Sequence, residues 1–350
     1  MSNIIQKLKD ADLRGRGGAG FPTFLKWEMV KKSSKKEKYV ICNASEGEPG
    51  VKKDLYLLEN YPEKVIEGMM IAIKYLKAKK AFLYLNSEYY DKLNEKLKFL
   101  ILNLPIELFK KDHDAGYIGG EESALLNHLE GKRVEPRMKP PFPSENGLWG
   151  KATLINNVET FYDVALINRE EYKRKRFYTI TGDCLNKGVY EFSEDMNIAD
   201  ILKETKNYPN FDFFVQVGGD LSGEILNPSQ LEEKKASGSA SIHIYSVLKH
   251  SPIKLMQDWA YFFKQESCGQ CTPCREGTFR LSEILNTEKQ NWELVKELLD
   301  NLADSSFCAL GLSVPIPFFS FVKNVLNTSL GRKFKMNYAL RKEICSVLKN

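Results

Sequence analysis

At 350 residues the chain is long enough for one large domain or for two to three ordinary ones around a real core. Its composition, 43% hydrophobic and 28% charged with a mean hydropathy of −0.38, is that of a soluble globular protein, and no run approaches the roughly 18 apolar residues of a membrane helix. The 51 basic and 46 acidic residues leave a net charge of +5, mostly dispersed lysine, which argues against a nucleic-acid binder. The start, MSNIIQKLKD, lacks the regions of a signal peptide, so a cytoplasmic chain is expected. Seven cysteines, four of them tightly patterned, predict a metal centre in a reducing compartment rather than a disulfide framework.

In chain order, a stretch rich in glycine and lysine leads to a short buried strand at Tyr39–Cys42. From Pro62 the spacing of Val65, Ile66, Met69, Ile73 and Leu76 predicts a helix, with proline where a first turn tolerates it. Ala81–Leu85 is a second short strand, and Asn86 or Ser87 caps a helix presenting Tyr90, Leu93, Leu97, Leu100 and Ile101. A further helix follows Gly119-Gly120, from Glu121 to Leu129. Strand alternating with helix is an α/β layer pattern. Beyond about residue 170 come short strands at 177–181, 189–192, 211–217 and 241–246 around one helix at 198–203, punctuated by glycine. From Ile253 the pattern is helical. The chain thus divides into an α/β part (1–170), a small β-rich module (171–248) and a helical part (249–350).

The cysteines carry the strongest chemical signal. Cys268, Cys271 and Cys274 sit in ESCGQCTPCREG, and Cys308 follows 33 residues after Cys274 in SSFCALG. Three thiolates at two-residue gaps with a distant fourth suit an iron–sulfur cubane. Zinc also takes four thiolates, but usually from two separated pairs. Cys42, Cys184 and Cys345 have no partners in spacing and are expected to be free thiols. Near the N-terminus, Gly15-Arg16-Gly17-Gly18-Ala19-Gly20 matches G-x-G-x-x-G, yet LKDADLR before it is a poor strand, so the usual dinucleotide fingerprint fails its context. Four glycines in six residues still let backbone N–H groups approach a phosphate, with Arg16 and Lys26 adding charge; a flexible turn is the alternative.

Acids cluster beside glycine in NASEGEPG (43–50) and YIGGEE (117–122). Glu121 and Glu122 cannot point the same way, so one is expected to stabilise the helix and the other to reach a ligand. RMKPPFP (137–143) offers a lysine and an aromatic ring on proline-fixed backbone, suited to a nucleotide or to a packed linker, and Asn156-Asn157 adds two amides. The four histidines form no ligand pattern and are expected at the surface or at caps.

In order, LRGRGGAGFPT, CNASEGEPG, GYIGGEESALLNHLEG, PRMKPPFPSENGLWGKATLINNVET, ESCGQCTPCREGT and SFCALG resemble the FMN- and NADH-binding subunit of respiratory complex I, the family of NADH-quinone oxidoreductase F subunits, and the equivalent diaphorase subunits of NAD-linked hydrogenases and formate dehydrogenases. The resemblance implies a Rossmann-like α/β flavin domain, a ubiquitin-like (β-grasp, SLBB) module and a helical bundle holding one [4Fe–4S] cluster. It places Gly15, Arg16, Gly17, Gly18, Lys26, Asn43, Glu46, Tyr117, Gly120, Glu121, Asn156 and Asn157 at FMN. Phe21, Glu48, Glu122, Lys139 and Phe142 would meet NADH, and Cys268, Cys271, Cys274 and Cys308 the cluster. Ser45, Phe24, Met29 and Gly119 depart from the pattern, where the family usually has Asp, Gly, an aromatic and Cys. The implied activity is an NADH dehydrogenase subunit, a flavin converting two-electron hydride into single electrons; the alternative is an electron relay that no longer binds a nicotinamide nucleotide. The implied partners are a small [2Fe–2S] thioredoxin-like subunit and a larger iron–sulfur or catalytic subunit. Neither nucleic acid nor membrane insertion is implied, and any membrane association would run through the partners.

Overall fold

The computed structural model describes residues 4–348, so the opening Met1-Ser2-Asn3 of the segment read for targeting lies outside them. The chain forms two compact units. One comprises the residues up to Gly47 together with Lys52–Phe177; the other comprises Glu48–Val51 and the chain from Tyr178 onward.

In the first unit β1 (Lys38–Ala44), β2 (Lys80–Leu85), β3 (Ile106–Lys110) and β4 (Ala152–Asn157) pair in parallel, in the order β3-β2-β1-β4. A parallel sheet is covered on both faces, and β1 shows it. Tyr39 and Ile41 enter a cluster with Phe82, Tyr84, Ile155, Leu125 and Leu126, the last two from helix Glu122–Leu129. Val40 and Cys42, equally buried, alternate with them toward the opposite face. Helix Pro62–Leu76 buries the stripe its spacing predicted and packs against helix Val158–Asn168. Gly68 permits the approach, since a Cβ there would stand 1.9 Å from the Phe161 carbonyl oxygen. Helix Ser87–Leu100 is capped by Asn86 as expected, but it buries Tyr89, Leu93 and Leu97, so its inner stripe passes through Tyr89 rather than Tyr90.

The second unit holds a five-stranded mixed sheet: β5 (Lys175–Gly182), β6 (Gly188–Ser193), β7 (Phe213–Val217), β8 (Glu224–Leu226) and β9 (Ser241–Ser246), ordered β6-β5-β9-β7-β8. β5 runs parallel to β9, whereas β7 is antiparallel to both β8 and β9. Helix Ile198–Glu204 places Ile198, Ile201 and Leu202 against Ile180, Val215 and Ile242. Helices Pro252–Glu266, Thr272–Leu285 and Trp292–Ser305 follow, the first packing on the second and the second on the third. Contrary to the sequence expectation, Ala309–Leu326 has the length and hydropathy of a membrane span; 61% of it is buried, and Phe318 and Phe321 pack edge-on against Trp259, as a core helix would.

Candidate functional site

β1 and β4 lie side by side, Asn43 opposite Asn157 and Cys42 opposite Asn156. The chain leaves β1 for β2 on one side while β4 joins on the other, so the carboxyl ends open a crevice at the reversal of strand order. That is where open parallel sheets bind ligands. The Asn157 side chain accepts from Glu159 N–H at 3.0 Å, capping helix Val158–Asn168 at this edge.

The glycine loop is tied down over the same edge. Gly15 N–H donates to the Phe21 carbonyl at 2.9 Å and Arg14 bridges Pro22, closing the loop at its neck. Arg16 N–H donates to Thr160 Oγ1 at 2.9 Å, on the first turn of the helix after β4. The expectation that Arg16 lends charge to the loop is corrected. Its buried guanidinium donates to Asp163 at 3.0 Å and to the Tyr172 hydroxyl at 2.8 Å, so it anchors the loop from below. At Gly17 a Cβ would come within 3.4 Å of the Asn157 Cβ. Gly18 (φ +112°) and Gly20 (φ +63°) hold left-handed backbone with nothing within 4 Å of an added Cβ.

Across the crevice Glu121 caps the helix as one of the two acids was expected to, but both carboxylates reach Lys139. Glu121 is the N-cap, one oxygen accepting from Ser123 N–H at 2.8 Å and Ala124 N–H at 2.9 Å. Its other oxygen takes the Lys139 ammonium at 2.7 Å. Glu122 reaches Lys139 at 3.1 Å and Lys26 at 3.2 Å. Burial alone would raise the Glu122 carboxyl, but the two ammonium groups outweigh it and hold it below its ordinary value. The Asn43 amide donates to the Gly120 carbonyl at 2.8 Å, Trp27 Nε1 donates to Asn156 Oδ1 at 3.1 Å, and Gly47 passes so close to Tyr117 that a Cβ would lie 3.0 Å from its Cα. Phe21, Met29 and Phe142 remain 43%, 41% and 46% exposed, and helix Thr23–Lys32 packs on the short helix Pro143–Asn146 that follows Phe142.

Beneath the crevice lies a buried charge cluster that the sequence reading missed. Lys53 donates to Asp54 at 2.6 Å and Asn157 at 2.9 Å, with Glu159 at 3.3 Å. Glu46 accepts from Asp54 N–H at 3.1 Å and the Tyr89 hydroxyl at 2.8 Å. Burial first, then the Asp54 charge, push its carboxyl up to about 7, although Lys53 opposes them. The signal available was the KKD that closes the acidic stretch after Gly50.

Glu48 is held in the second unit. Its carboxylate accepts from Leu221 N–H at 2.8 Å, Ser222 N–H at 3.0 Å and the Ser222 hydroxyl at 3.0 Å. The histidine expectation also needs correction. His128 is buried between the Tyr84 hydroxyl (2.7 Å) and Asp112 (3.0 Å), and His243 bonds Asp220 at 2.9 Å. A ring with two polar nitrogens serves as an internal link where strands and helices each offer one partner.

The four patterned cysteines meet in the helical part of the second unit. Cys271 precedes helix Thr272–Leu285 and Cys308 precedes helix Ala309–Ser313. Cys274 is buried on the first turn, and burial together with the nearby Cys271, Cys308 and Cys268 sulfurs pushes its thiol up to about 11. Gly269, at φ +77°, turns the chain between the first two cysteines, and Arg275 fixes its carbonyl at 2.9 Å. A Cβ on Gly311 would strike Ser306 Oγ at 2.4 Å and lie 3.3 Å from the Cys274 Cβ, so glycine lets this segment pass close to both. Among the described residues no three His, Cys, Asp or Glu groups converge on one ion. The donor set fits a cluster, and the open glycine cradle at the sheet edge fits a flavin phosphate. Cys42, Cys184 and Cys345 form no disulfide among the described residues.

Residues 8–166 match the Nuo51 FMN-binding domain, and residues 254–327 match the NADH-ubiquinone oxidoreductase-F iron–sulfur binding region. The F 2 subunit of NADH-quinone oxidoreductase from Rhizobium meliloti is 33% identical, over 88% of this chain and 83% of its own length. The chain belongs to the family of NADH-quinone oxidoreductase F subunits. The NAD-reducing hydrogenase HoxS subunit alpha of Cupriavidus necator is 34% identical over 91% of this chain. A crystal structure of an NAD+-reducing [NiFe]-hydrogenase in the H2-reduced state superposes with a TM-score of 0.84 at 32% identity over 96% of this chain. The chain spans 58% and 63% of those two hydrogenase chains, less than two thirds of either.

Proposed function

We propose that this member of the family is an NADH dehydrogenase subunit holding FMN in the β1–β4 crevice and a [4Fe–4S] cluster on Cys268, Cys271, Cys274 and Cys308. A bound flavin supplies the conversion between a two-electron hydride donor and a one-electron carrier. The chain's own residues bind, orient and shield. Gly15, Gly17 and Gly18 present backbone to the FMN phosphate, with Lys26 supplying charge beside them. Asn43, Tyr117, Gly120, Asn156 and Asn157 line the crevice, while Glu46 and Glu121 brace it through helix caps. Phe21 and Phe142 offer exposed rings to an adenine, and Glu122 and Lys139 offer a carboxylate and an ammonium to the ribose and phosphates. Glu48 is engaged by Leu221 and Ser222 and is left out as a nucleotide contact.

The mixed sheet with its one helix supports a β-grasp (SLBB) module, and the helices from Pro252 support a cluster-bearing bundle; the division we infer is 1–170, 171–248 and 249–350. A chain with one flavin and one cluster must hand its electrons on. The partners we infer are a small [2Fe–2S] thioredoxin-like subunit and a larger iron–sulfur or catalytic subunit, in the cytoplasm. The observation that carries the reading is the glycine loop anchored by Arg16 over the β1–β4 edge with its left-handed glycines open. Anaerobically purified protein should contain flavin, iron and sulfide and should lose its flavin absorbance on adding NADH. Flavin and cluster with no bleaching by NADH would leave an electron relay; a colourless zinc protein would defeat both readings.

A further inference from the structure

Two hydroxyl groups reach the surroundings of Cys274 from separate segments, and neither serves as an iron ligand in the function proposed above. Ser267 ends helix Pro252–Glu266, and its Oγ lies 3.4 Å from Cys274 Sγ. Gly269 N–H donates to that same Oγ at 3.4 Å, while Arg275 holds the Gly269 carbonyl at 2.9 Å, so the turn carrying the hydroxyl is fixed from both sides. Ser306 follows helix Trp292–Ser305 on the segment that leads to Cys308. Its Oγ is buried and has no hydrogen-bond partner among the described residues. The bare Gly311 backbone lies against both Ser306 and Cys274, so the orphaned hydroxyl stands on the cysteine's side of the segment. A buried hydroxyl is rarely left without an acceptor, and one that is marks a place where something else supplies it.

Ligation decides which way these bonds run. A free cysteine can donate to a hydroxyl, but a cysteine that binds iron does so as thiolate and has no proton to give. Ser267 must then be the donor. Its oxygen accepts from Gly269 N–H, which leaves the hydroxyl proton for the sulfur. We propose that Ser267 and Ser306 raise the reduction potential of the [4Fe–4S] cluster by donating hydrogen bonds to its sulfur, Ser267 to the Cys274 thiolate and Ser306 as a second donor beside it. The inference rests on the cluster assignment made above. On reduction one electron enters, no bond to iron is made or broken, and the added negative charge spreads onto sulfur. A hydrogen bond to a more negative acceptor is stronger, so both donors favour the reduced form.

The test is a redox titration of the anaerobically purified full chain, followed by the electron paramagnetic resonance of the reduced cluster, with iron and sulfide assayed alongside. Ser267→Ala should keep its iron and lower the midpoint, by about 59 mV if the lost bond shifts the one-electron equilibrium tenfold. Ser267→Thr, which retains a hydroxyl, should stay near the wild type, and Ser306→Ala should shift in the same direction as Ser267→Ala. The potential is read from whatever cluster is present, so partial occupancy does not mask it. A midpoint that stays or rises in either alanine variant overturns the assignment of that residue. An equal fall in Ser267→Thr and Ser267→Ala overturns the role of the Ser267 hydroxyl. Complete loss of the cluster from both alanine variants would overturn the proposal as well, by showing that the hydroxyls hold the loops rather than tune the iron. Wild-type protein without iron and sulfide would instead refute the cluster assignment itself.

Discussion

Ser45 occupies the position where the family usually has aspartate, and its hydroxyl accepts from the buried Lys111 ammonium at 3.0 Å. A carboxylate there would add negative charge beside the flavin and disfavour the reduced, more anionic form. Ser45→Asp should therefore lower the flavin midpoint, by about 30 mV if the effect is a tenfold change in a two-electron equilibrium; a redox titration in which the midpoint stays or rises refutes this. Glu46 gives a pH signature. Its folded value of about 7 lies above the usual carboxylate range because burial disfavours the charge. The folded state thus binds this proton more tightly than the unfolded chain does. The contribution of Glu46 to stability therefore falls as pH rises from about 4.5 through 7. Glu46→Gln should flatten that slope in melts across this range while retaining an acceptor for Asp54 N–H. At the other centre, Cys308→Ser should lose the iron–sulfur absorbance and iron content while flavin remains, because the two cofactors are held by different units.

At the scale of elements the glycine loop and its helix stand or fall together. Arg16→Ala removes the buried ion pair with Asp163 and the bond to the Tyr172 hydroxyl that anchor the loop, a loss of about 3–5 kcal/mol. Denaturant unfolding and flavin affinity should fall together, and an unchanged flavin affinity would show that the loop does not depend on this anchor. Arg16 also shows the limit of the sequence. A cation inside a glycine loop reads as a phosphate ligand until the fold brings up Asp163, far along the chain. The helix from Pro62, the Asn86 cap and β1, β2 and β9 were legible because periodicity and capping are local. β3 and β4 were not. IELFK is half exposed at the sheet edge, and ATLINN was read only for its two amides, so the strand that forms one wall of the crevice went unseen. The cysteine quartet was legible from spacing alone. The Lys53 cluster was not, since its carboxylates come from three separate segments and only the parallel sheet brings them under one ammonium.

For the whole molecule, two units with separate cores imply two cooperative transitions when one is weakened. Stripping iron by oxidation and chelation should lower one calorimetric transition and leave the other near its original temperature, because all four thiols belong to the second unit. A single transition shifting as a whole would show that the units melt as one.

The excursion of Glu48–Val51 has a consequence for anyone who would cut this polypeptide apart. Gly50, at φ +82°, sits where a methyl would strike Asp220 Oδ2 at 1.9 Å, so the tetrapeptide is fitted to its host rather than draped over it. A scissor cut after Phe177 would strand that tetrapeptide in the amino-terminal fragment without its seat, and would leave the carboxy-terminal fragment missing a piece of itself. The two halves are stitched, not concatenated, and splitting them for separate expression calls for a borrowed tetrapeptide on one side and a spliced loop on the other.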